Sequence, residues 1–471
     1  MLPISFRCGN RFIEPNQPRP KGSPVSDERS DPPHRDHALL LDQLRCAHHK
    51  EPVADLPPQA RTLPLIAAWQ PADTDDLRHM VRTIAEHNTA IFPIGGATAL
   101  DFGNPPSREG VGLVLTGLDR VIDYPARDMT ITVEAGITMA RLDELLRAEG
   151  QRLPVDVPQA DRATLGGAIA TNTSGPRRYA LGTLRDYVIG ISVVDADGNL
   201  TKAGGRVVKN VAGYDLCKLY TGSLGTLGII AQVTLKLKPR PEDRVLIGFD
   251  LPSAEAAAEA LSKLVTSRTR PVCIELFNRP ALKLLPDFAP RLPASSDWML
   301  LVGFEESTPV VRWQEDVIVQ ELAEFEPRHV VVLPARSTSD PWQPLIEFPA
   351  LDAGPLSFKA NLLGSAIVDF FELAGRQDAT IALEAHAASG IVVGHLLGNV
   401  ALDQAASVLV TLRRHTVESR GNLVILRCPP DWKRRLAVWG DARPDWPFMK
   451  NLKQALDPRG IFNPGRFVDG T

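Results

Sequence analysis

A glycine-rich stretch from Arg162 to Arg185 restricts the possible folds of this chain more than any other segment. It reads RATLGGAIATNTSGPRRYALGTLR and sets Gly166, Gly167, Gly175 and Gly182 among small and polar residues. Because glycine lacks a Cβ, its backbone can lie against a ligand, adopt positive φ and direct unshielded amides at phosphate oxygens. An isolated run of this kind fits a structural turn as well as a ligand-binding loop. Two further glycine turns in the chain favour the interpretation as a ligand-binding loop.

These turns are IFPIGGAT at Ile91–Thr98, where an apolar strand ends in two glycines, and GSLGTLG at Gly222–Gly228, which leads into the alternating segment Ile229–Leu237. Backbone amides in such turns can contact a pyrophosphate group. Neither turn is a GxGxxG fingerprint that opens a helix, and the chain has no GxxxxGK[ST] loop. The motifs therefore indicate a nucleotide-binding protein of neither the Rossmann nor the P-loop type.

Seven motifs in a fixed order carry a family resemblance. They are PIGGAT (93–98), ITVEAG (131–136), LP (153–154), TLGGAIATNTSG (164–175), GTLRDYVIG (182–190), GGRVVKNVAGYDLCKLYTGSLGTLGII (204–230) and LDPRGIFNPGRF (456–467). Together they resemble the vanillyl-alcohol-oxidase type of FAD-binding fold, and within it the D-lactate and glycolate dehydrogenase branch. GPRRYALGTLRD joined to VVKNVAGYDL is most similar to the FAD-binding subunits of bacterial glycolate oxidases.

The resemblance implies an α+β fold, with a two-lobed PCMH-type FAD-binding domain followed by an α+β cap domain with an antiparallel sheet. A length of 471 residues also favours more than one domain. We expect a disordered extension at 1–60 with at most a short helix at 37–44, the FAD-binding domain at 61–240, the cap at 241–440, and a segment at 441–471 that returns to the FAD-binding domain. Pro239 and Pro241 mark the domain boundary, because they cannot continue a central strand. We place strand Thr130–Glu134 and helix Met139–Glu149 in the first lobe.

The glycine turns and the resemblance together predict which residues contact FAD. They are Pro93, Ile94, Gly95, Gly96, Ala97, Thr98, Thr164, Gly166, Gly167, Ala170, Asn172, Gly175, Gly182 and Ile230. Covalent members of the wider fold place a histidine in or just after the first glycine turn. Here that position reads Ala-Thr-Ala-Leu at residues 97–100. We therefore expect FAD to be bound non-covalently.

The metal motif of the related dehydrogenases is incomplete in this chain. Complete members carry HxGDGNxH, whose two histidines, with a later glutamate, hold a divalent metal. The matching stretch is HAASGIVV, which keeps His386 but has Ser389, Ile391 and Val393 for the aspartate, the asparagine and the second histidine. His395 shares the strand face of Val393 and is an alternative ligand. A single histidine cannot hold a catalytic metal, so we predict none; His386 stays a candidate catalytic residue or a buried structural histidine.

Other polar residues have two interpretations each. Lys209 is a catalytic candidate that can stabilise negative charge at the flavin N1, as the resemblance implies, or it can form a surface pair with Asp215. Tyr214 is either a catalytic candidate or a buried ring. Arg177 and Arg178 can hold a carboxylate or phosphate bidentately, or form a docking patch. Residues 427–430, RCPP, replace the acidic signature of the complete dehydrogenases, so no acidic metal ligand is evident.

Three functions remain open from the sequence. The first is an FAD-binding subunit of a glycolate oxidase-like complex that oxidises glycolate or another small 2-hydroxy acid, with a sister FAD subunit and an iron–sulfur subunit as partners. The second is a stand-alone FAD-dependent D-2-hydroxyacid dehydrogenase, and the third is a flavin-binding protein without turnover. A net charge of −4 gives no basic footprint for nucleic acid.

The five scattered cysteines form no CxxC pair, which argues against a disulfide framework, a zinc ribbon or an iron–sulfur cluster in this chain. They suit a cytoplasmic protein. The N-terminus lacks the features of a secretory signal, and no long apolar run predicts a spanning helix, so we expect at most peripheral membrane association.

Overall fold

The structure is a computed structural model that describes residues 34–48, 51–205, 214–285, 289–292, 295–335 and 340–471. In these ranges it has two N-terminal lobes, a cap domain and a C-terminal segment that packs on the first lobe. The expected α+β organisation with an antiparallel cap sheet is confirmed.

The first lobe is a parallel sheet of three strands, β1, β3 and β2 in that order. Apolar side chains at helical spacing on α2, from Leu77 to Ala85, are buried against it. The Asp73 carboxylate accepts a hydrogen bond from the amide of Asp76 and so caps α2. The elements are α1 (His34–His48), β1 (Leu65–Trp69), α2 (Thr74–Glu86), β2 (Ala90–Ile94) and β3 (Gly110–Val114).

The second lobe is a five-stranded sheet in the order β4-β5-β9-β7-β8. The placement of strand Thr130–Glu134 in the first lobe was wrong, because Thr132 pairs with Thr234 of this sheet, where their side chains also share a hydrogen bond. The elements are β4 (Val121–Asp123), β5 (Thr130–Glu134), α3 (Met139–Ala148), β6 (Gln151–Arg152), α4 (Leu165–Thr171), α5 (Arg178–Leu181), α6 (Leu184–Tyr187), β7 (Val188–Val194), β8 (Leu200–Gly204), α7 (Leu216–Tyr220), β9 (Ile229–Lys236) and β10 (Lys238–Pro239). Helix α3 packs on this sheet as well.

The cap is an antiparallel sheet of eight strands in the order β14-β11-β13-β12-β16-β17-β15-β18. Helices α8, α10, α12 and α13 bury one face, while Trp342 and Phe348 pack on the other. The elements are β11 (Asp243–Asp250), α8 (Ala254–Val265), β12 (Cys273–Phe277), α9 (Arg279–Lys283), β13 (Met299–Glu306), α10 (Thr308–Leu322), β14 (His329–Pro334), α11 (Gln343–Glu347), β15 (Leu356–Asn361), α12 (Ile367–Gln377), β16 (Ala382–His386), β17 (Ile391–Leu396), α13 (Leu402–Glu418) and β18 (Asn422–Arg427).

The C-terminal segment returns to the first lobe through α14 (Trp446–Leu456). Beyond this helix, Phe462 forms a parallel bridge with Ile91. The buried Lys453 ammonium group donates to the carbonyls of Thr226 and Phe462, at 2.6 and 2.8 Å, and to the Asp457 carboxylate at 2.6 Å. Three acceptors satisfy all three of its donors, which fixes the segment in place.

The expectation of disorder across residues 1–60 was wrong where the structure describes this region. Residues 34–48 form the 15-residue helix α1, and Leu40 and Leu44 are fully buried against α2. The side chains of His48 and Asp76 form a hydrogen bond between the two helices. The i, i+4 spacing of the two leucines indicates this packing, which the prediction of disorder with at most a short helix does not include.

Candidate functional site

A cleft runs between the two N-terminal lobes, and we call it the interlobe cleft. Its walls come from the turn after β2, from α4 and from the turn before β9, and the C-terminal segment adds Asn463 and Arg466. The wall residues include Pro93, Gly95, Gly96, Ala97, Thr98, Thr164, Gly166, Gly167, Ala170, Leu224, Gly225 and Ile230. The three glycine turns identified from the sequence therefore meet at one site.

The glycines serve two different purposes at this cleft. A Cβ on Gly95 would lie 2.2 Å from Thr164 Oγ1, and a Cβ on Gly96 would lie 1.7 Å from the Arg162 carbonyl oxygen, so these two glycines allow the lobes to touch. Gly167 differs, because beyond its own helix only Thr164 Oγ1 lies within 4 Å of an added Cβ, at 3.2 Å. Gly167 thus leaves space in the cleft itself.

Most residues predicted to contact the cofactor line this cleft, but four do not. Ile94 is fully buried in the protein core, and Gly175 faces Asp156, whose Cβ would be 2.7 Å from an added Cβ. Gly182 ends α5 at φ +83° beside Asp186. Asn172 lines the neighbouring cavity instead. Packing explains Gly175, and a turn explains Gly182. A glycine-rich sequence does not show whether a glycine serves packing, a turn or ligand contact.

Four residues of the cleft were not predicted from the sequence: Leu224, Gly225, Asn463 and Arg466. The first two lie in the GSLGTLG turn.

A second cavity of about 210 Å³ adjoins the interlobe cleft, and we call it the cap pocket. The two share residues of the first glycine turn, the end of α4 and the loop after it, among them Thr98, Thr171 and Thr173. Its cap side is formed by strands β15 to β18. Its polar lining includes Asn172, Arg178, Lys359, His386 and Arg427. Any group bound in the interlobe cleft can therefore meet a second molecule in the cap pocket.

Two cations of the cap pocket have no ion-pair partner among the described residues, although Asp101 also lines the pocket. Neither Arg178 nor Lys359 has a carboxylate within ion-pair distance among the described residues. The Arg178 guanidinium donates to Ser174 Oγ at 2.9 Å, and Asp186 acts on it only from beyond ion-pair distance. Burial lowers the pKa of both groups, and their proximity lowers that of Lys359 further. The third cation, Arg427, pairs at 3.2 Å with the exposed Asp352. A small anion would offset the cost of keeping Arg178 and Lys359 charged.

His386 lies in a buried cluster with Glu275 and Glu384, which we call the His386 cluster. The strands place it, since Glu275 of β12 pairs with His386 of β16, and Glu384 lies two residues earlier on the same strand face. His386 Nδ1 is 2.6 Å from Glu275 Oε2. Burial raises the pKa of both carboxyls well above the usual range and lowers that of the imidazole. The sequence prediction of no acidic metal ligand did not consider this cluster. Glu384 lies two residues before His386, so strand alternation could have indicated it, whereas only the fold brings Glu275 there.

Arg177 occupies a separate buried network. Its guanidinium donates to Asp156 and, at 2.9 Å, to Glu305 of the cap, while Arg152 donates to the other Glu305 oxygen at 2.6 Å. Burial opposes the Arg177 charge, but the two carboxylates more than compensate and raise its pKa. The guanidinium also lies 5.3 Å from the ring centroid of Trp342. The suggestion that Arg177 grips a ligand was therefore wrong: its donors join the cap to the second lobe.

The two remaining catalytic candidates receive no support. Lys209 lies outside the described residues. Tyr214 is 94% exposed and lines none of the cavities described above, so the alternative of a buried ring is also wrong. Asp215 caps α7 by accepting a hydrogen bond from the amide of Lys218.

His395 is fully buried, and its two ring nitrogens are already used. Nδ1 lies 2.8 Å from Ser357 Oγ, and Nε2 lies 2.9 Å from the Phe348 carbonyl oxygen. The carbonyl can only accept, so Nε2 carries the proton and Nδ1 accepts from the serine hydroxyl. The alternative that His395 replaces the second metal histidine is not supported.

The buried imidazole of His395 predicts loss of stability in acid. Burial lowers its pKa to about 4, against roughly 6.5 in the unfolded chain, so the unfolded state binds more protons between these values. The free energy of unfolding should therefore fall by about 3 kcal/mol from this group as pH drops from 6.5 to 4. Urea unfolding at several pH values measures this effect: the free energy of unfolding should fall less steeply with decreasing pH in His395→Gln than in the wild type. His329→Gln, which removes an exposed imidazole, is the control. An equal pH dependence in the two variants would show that burial does not lower the pKa of His395.

Comparison with known families explains the cleft. The family model described as FAD binding domain matches residues 66–204, and the one described as FAD linked oxidases, C-terminal domain matches residues 240–341 and 441–467. The chain therefore contains a region that matches an FAD-binding domain and, after it, regions that match the C-terminal domain of FAD-linked oxidases. This flavoprotein is thus an oxidoreductase with FAD as cofactor, as the motifs had predicted.

Individual relatives agree with this assignment. The flavoprotein is 27% identical to glycolate oxidase subunit GlcD of Bacillus subtilis over 88% of this chain and 90% of that protein. It is 35% identical to glycolate oxidase subunit GlcE of Escherichia coli, over 30% of this chain and 40% of that protein. With D-lactate dehydrogenase of Archaeoglobus fulgidus it shares 31% identity over about half of each chain. The solved structure of p-cresol methylhydroxylase has the same fold, with a TM-score of 0.74 at 15% identity over 92% of this chain and 97% of that chain.

The interlobe cleft of the flavoprotein fits FAD. Gly167 leaves open the space that a side chain would fill, and the glycine turns of both lobes face this space. Asn172 Oδ1, at the junction with the cap pocket, is buried and has no hydrogen-bond partner among the described residues. A dinucleotide along the cleft would supply both the missing volume and a donor. In the described ranges, none of the helices is long and apolar enough to cross a bilayer.

Proposed function

We propose that this chain is the FAD-binding subunit of a glycolate oxidase-like complex that oxidises a small 2-hydroxy acid and passes electrons to a partner iron–sulfur subunit. The observation that carries the proposal is the adjacency of two cavities. The interlobe cleft fits FAD, and the cap pocket beside it holds two cations without carboxylate partners. The relatives named as glycolate oxidase subunits and as D-lactate dehydrogenase support the same class of substrate.

The cap pocket has the chemistry to hold a 2-hydroxy carboxylate. When bound, FAD supplies the acceptor for the hydride that leaves the substrate α-carbon. Arg178 and Lys359 attract the substrate carboxylate and fix its orientation, because each is desolvated and neither forms an ion pair with a carboxylate of the described residues. Pro158, Ala350, Ile391 and Val393 form apolar wall that limits water around the reacting carbon. A pocket of about 210 Å³ suits a small acid.

Removal of Arg178 should weaken substrate binding selectively. A charged hydrogen bond contributes about 1.5–3 kcal/mol, so Arg178→Ala should raise KM for the 2-hydroxy acid by about 10- to 100-fold. FAD content should be unchanged, because Arg178 lines the cap pocket and not the interlobe cleft. Steady-state dye reduction by the copurified complex measures the effect. Arg185→Ala, which removes an exposed arginine of α6, is the control; an equal KM in both variants would contradict this role for Arg178.

FAD should be held without a covalent bond. The residues that follow the first glycine turn, Ala97 to Leu100, line the cleft and include no histidine, cysteine or tyrosine. Of the described cysteines, none lines the interlobe cleft or the cap pocket. Acid precipitation should therefore leave all of the yellow colour in the supernatant. Colour that stays in the washed protein pellet would indicate a covalent link.

The chain alone should bind FAD but turn over slowly and without stimulation by added metal. The pocket keeps only one histidine of the two-histidine metal motif, and both nitrogens of His395 are used, so no open metal position faces the substrate. We would assay the purified chain, with and without added divalent metal, against glycolate, D-lactate and an artificial acceptor. The same chain should be assayed after co-expression with candidate partners. Turnover should appear only with the partners.

The stand-alone dehydrogenase and the non-catalytic flavoprotein are separated by the same assay. Fast, metal-stimulated oxidation by the isolated chain, lost in His386→Ala, would establish the stand-alone enzyme and exclude the subunit. FAD binding without turnover, even in a complex with both partners, would leave only a structural role for the flavin.

A further inference from the structure

The His386 cluster contains more unsatisfied acceptors than any other buried site in the described part of the chain. Glu275 and Glu384 are both fully buried, and His386 is 4% exposed. Neither oxygen of Glu384 has a hydrogen-bond partner, and Glu275 Oε1 has none either. Buried acceptors of this kind are normally satisfied by a donor or a bound ion. Three such oxygens from two carboxyls, beside an imidazole, have the chemistry of a cation-binding site.

We propose that Glu275, Glu384 and His386 bind one divalent transition-metal ion, such as Zn²⁺, in a closed structural site between β12 and β16. The ligand atoms of the three residues lie within 4.8 Å of one another. Glu384 can bind through both of its oxygens, Glu275 through one, and His386 through Nδ1, which gives four donor atoms. Two ionised carboxylates and a neutral imidazole balance the charge of the ion, as burial requires.

The strand pairing makes this geometry attainable with a small adjustment. When donor atoms from different residues lie about 2.0 Å from the ion in roughly tetrahedral directions, they are about 3.3 Å apart. The contact between Glu275 Oε2 and His386 Nδ1, now 2.6 Å, must therefore open by about 0.7 Å. Glu275 pairs directly with His386 in the sheet, and Glu384 shares their face, so rotation of the carboxyl groups suffices without a change in register.

The site differs from a substrate-activating metal centre. Of the three residues only His386 reaches the lining of the cap pocket, while the unpartnered oxygens are enclosed by the sheet. A closed site of this kind stabilises the fold and offers no open position to a substrate. The ion therefore joins β12 to β16, the strand whose His386 lines the cap pocket. This inference is independent of the reaction proposed above.

Metal analysis of the full-length, FAD-loaded protein tests the proposal. Protein purified with Zn²⁺ present and then desalted should contain about one equivalent of zinc. Its removal by a strong chelator should lower Tm by about 5 °C, and added Zn²⁺ should restore it. Glu275→Gln and Glu384→Gln should lose the zinc, because a neutral amide cannot replace an ionised carboxylate ligand. Glu134→Gln, which alters a fully buried carboxylate paired with Arg120, should keep one equivalent.

Substitution with Co²⁺ supplies a second measurement that needs no variant. Co²⁺ in a four-coordinate site of oxygen and nitrogen ligands gives a visible absorption band, which should appear with the wild-type protein and compete with Zn²⁺. A folded wild-type protein that takes up no metal, shows no cobalt band and has the same Tm with Zn²⁺ and with chelator would overturn the proposal. In that case, if Glu384→Gln had the same Tm as the metal-free wild type, the cluster would be a set of protonated carboxyls.

Discussion

Gly167→Val should lose FAD binding by at least about 100-fold while the protein stays folded. An added side chain at Gly167 points into the interlobe cleft, where only Thr164 Oγ1 lies within 4 Å, so it collides with the cofactor and hardly with the protein. The reason is volume alone, because Gly167 is helical and does not have a positive φ. Flavin absorbance after gel filtration and titration of the apoprotein with FAD measure the loss.

Two other glycines are the controls for this result. Gly375 of α12 has no heavy atom within 4 Å of an added Cβ, so Gly375→Val should keep stoichiometric FAD. Gly96→Val should unfold the protein, because its Cβ would lie 1.7 Å from the Arg162 carbonyl oxygen. Stoichiometric FAD in a folded Gly167→Val protein would show that α4 does not form the cofactor wall.

Arg177→Ala should destabilise the protein by about 3–5 kcal/mol. The substitution leaves Asp156 buried without its main partner and removes one of the two cations that hold Glu305, which raises the cost of both negative charges. Because this network joins the second lobe to the cap, its loss should also separate the two domains. Urea unfolding gives the free energy change, and limited proteolysis near the domain boundary reports the separation. Arg141→Ala is the control: its ion pair with Glu144 is exposed, so the free energy of unfolding should change by less than about 1 kcal/mol. An equally small effect of Arg177→Ala would show that the buried network contributes little to the stability of the protein.

Local signals in the sequence predicted much of this structure. The alternating segment Ile229–Leu237 predicted strand β9 (Ile229–Lys236), and the helix predicted at Met139–Glu149 forms as α3 (Met139–Ala148). The glycine turns gave three walls of the cleft. Each of these depends on residues close together in the chain, where backbone propensity and side-chain periodicity decide the outcome.

The remaining features depend on contacts that no local pattern contains. Glu275 meets His386 only because β12 and β16 are neighbours in the cap sheet, and Glu305 meets Arg177 only across the domain interface. In the same way, glycine-rich composition does not reveal which glycine faces a ligand and which permits packing. Gly167 and Gly175 lie in one loop region, yet only Gly167 opens into the cleft.

Purification of the tagged chain from its native cells, with identification of bound cofactors and partner proteins, tests the central claim most directly. The account predicts that the chain is recovered with non-covalent FAD, together with a second flavoprotein subunit and an iron–sulfur protein. Recovery of the folded chain without FAD, or with FAD but alone and fully active on a 2-hydroxy acid, would contradict it.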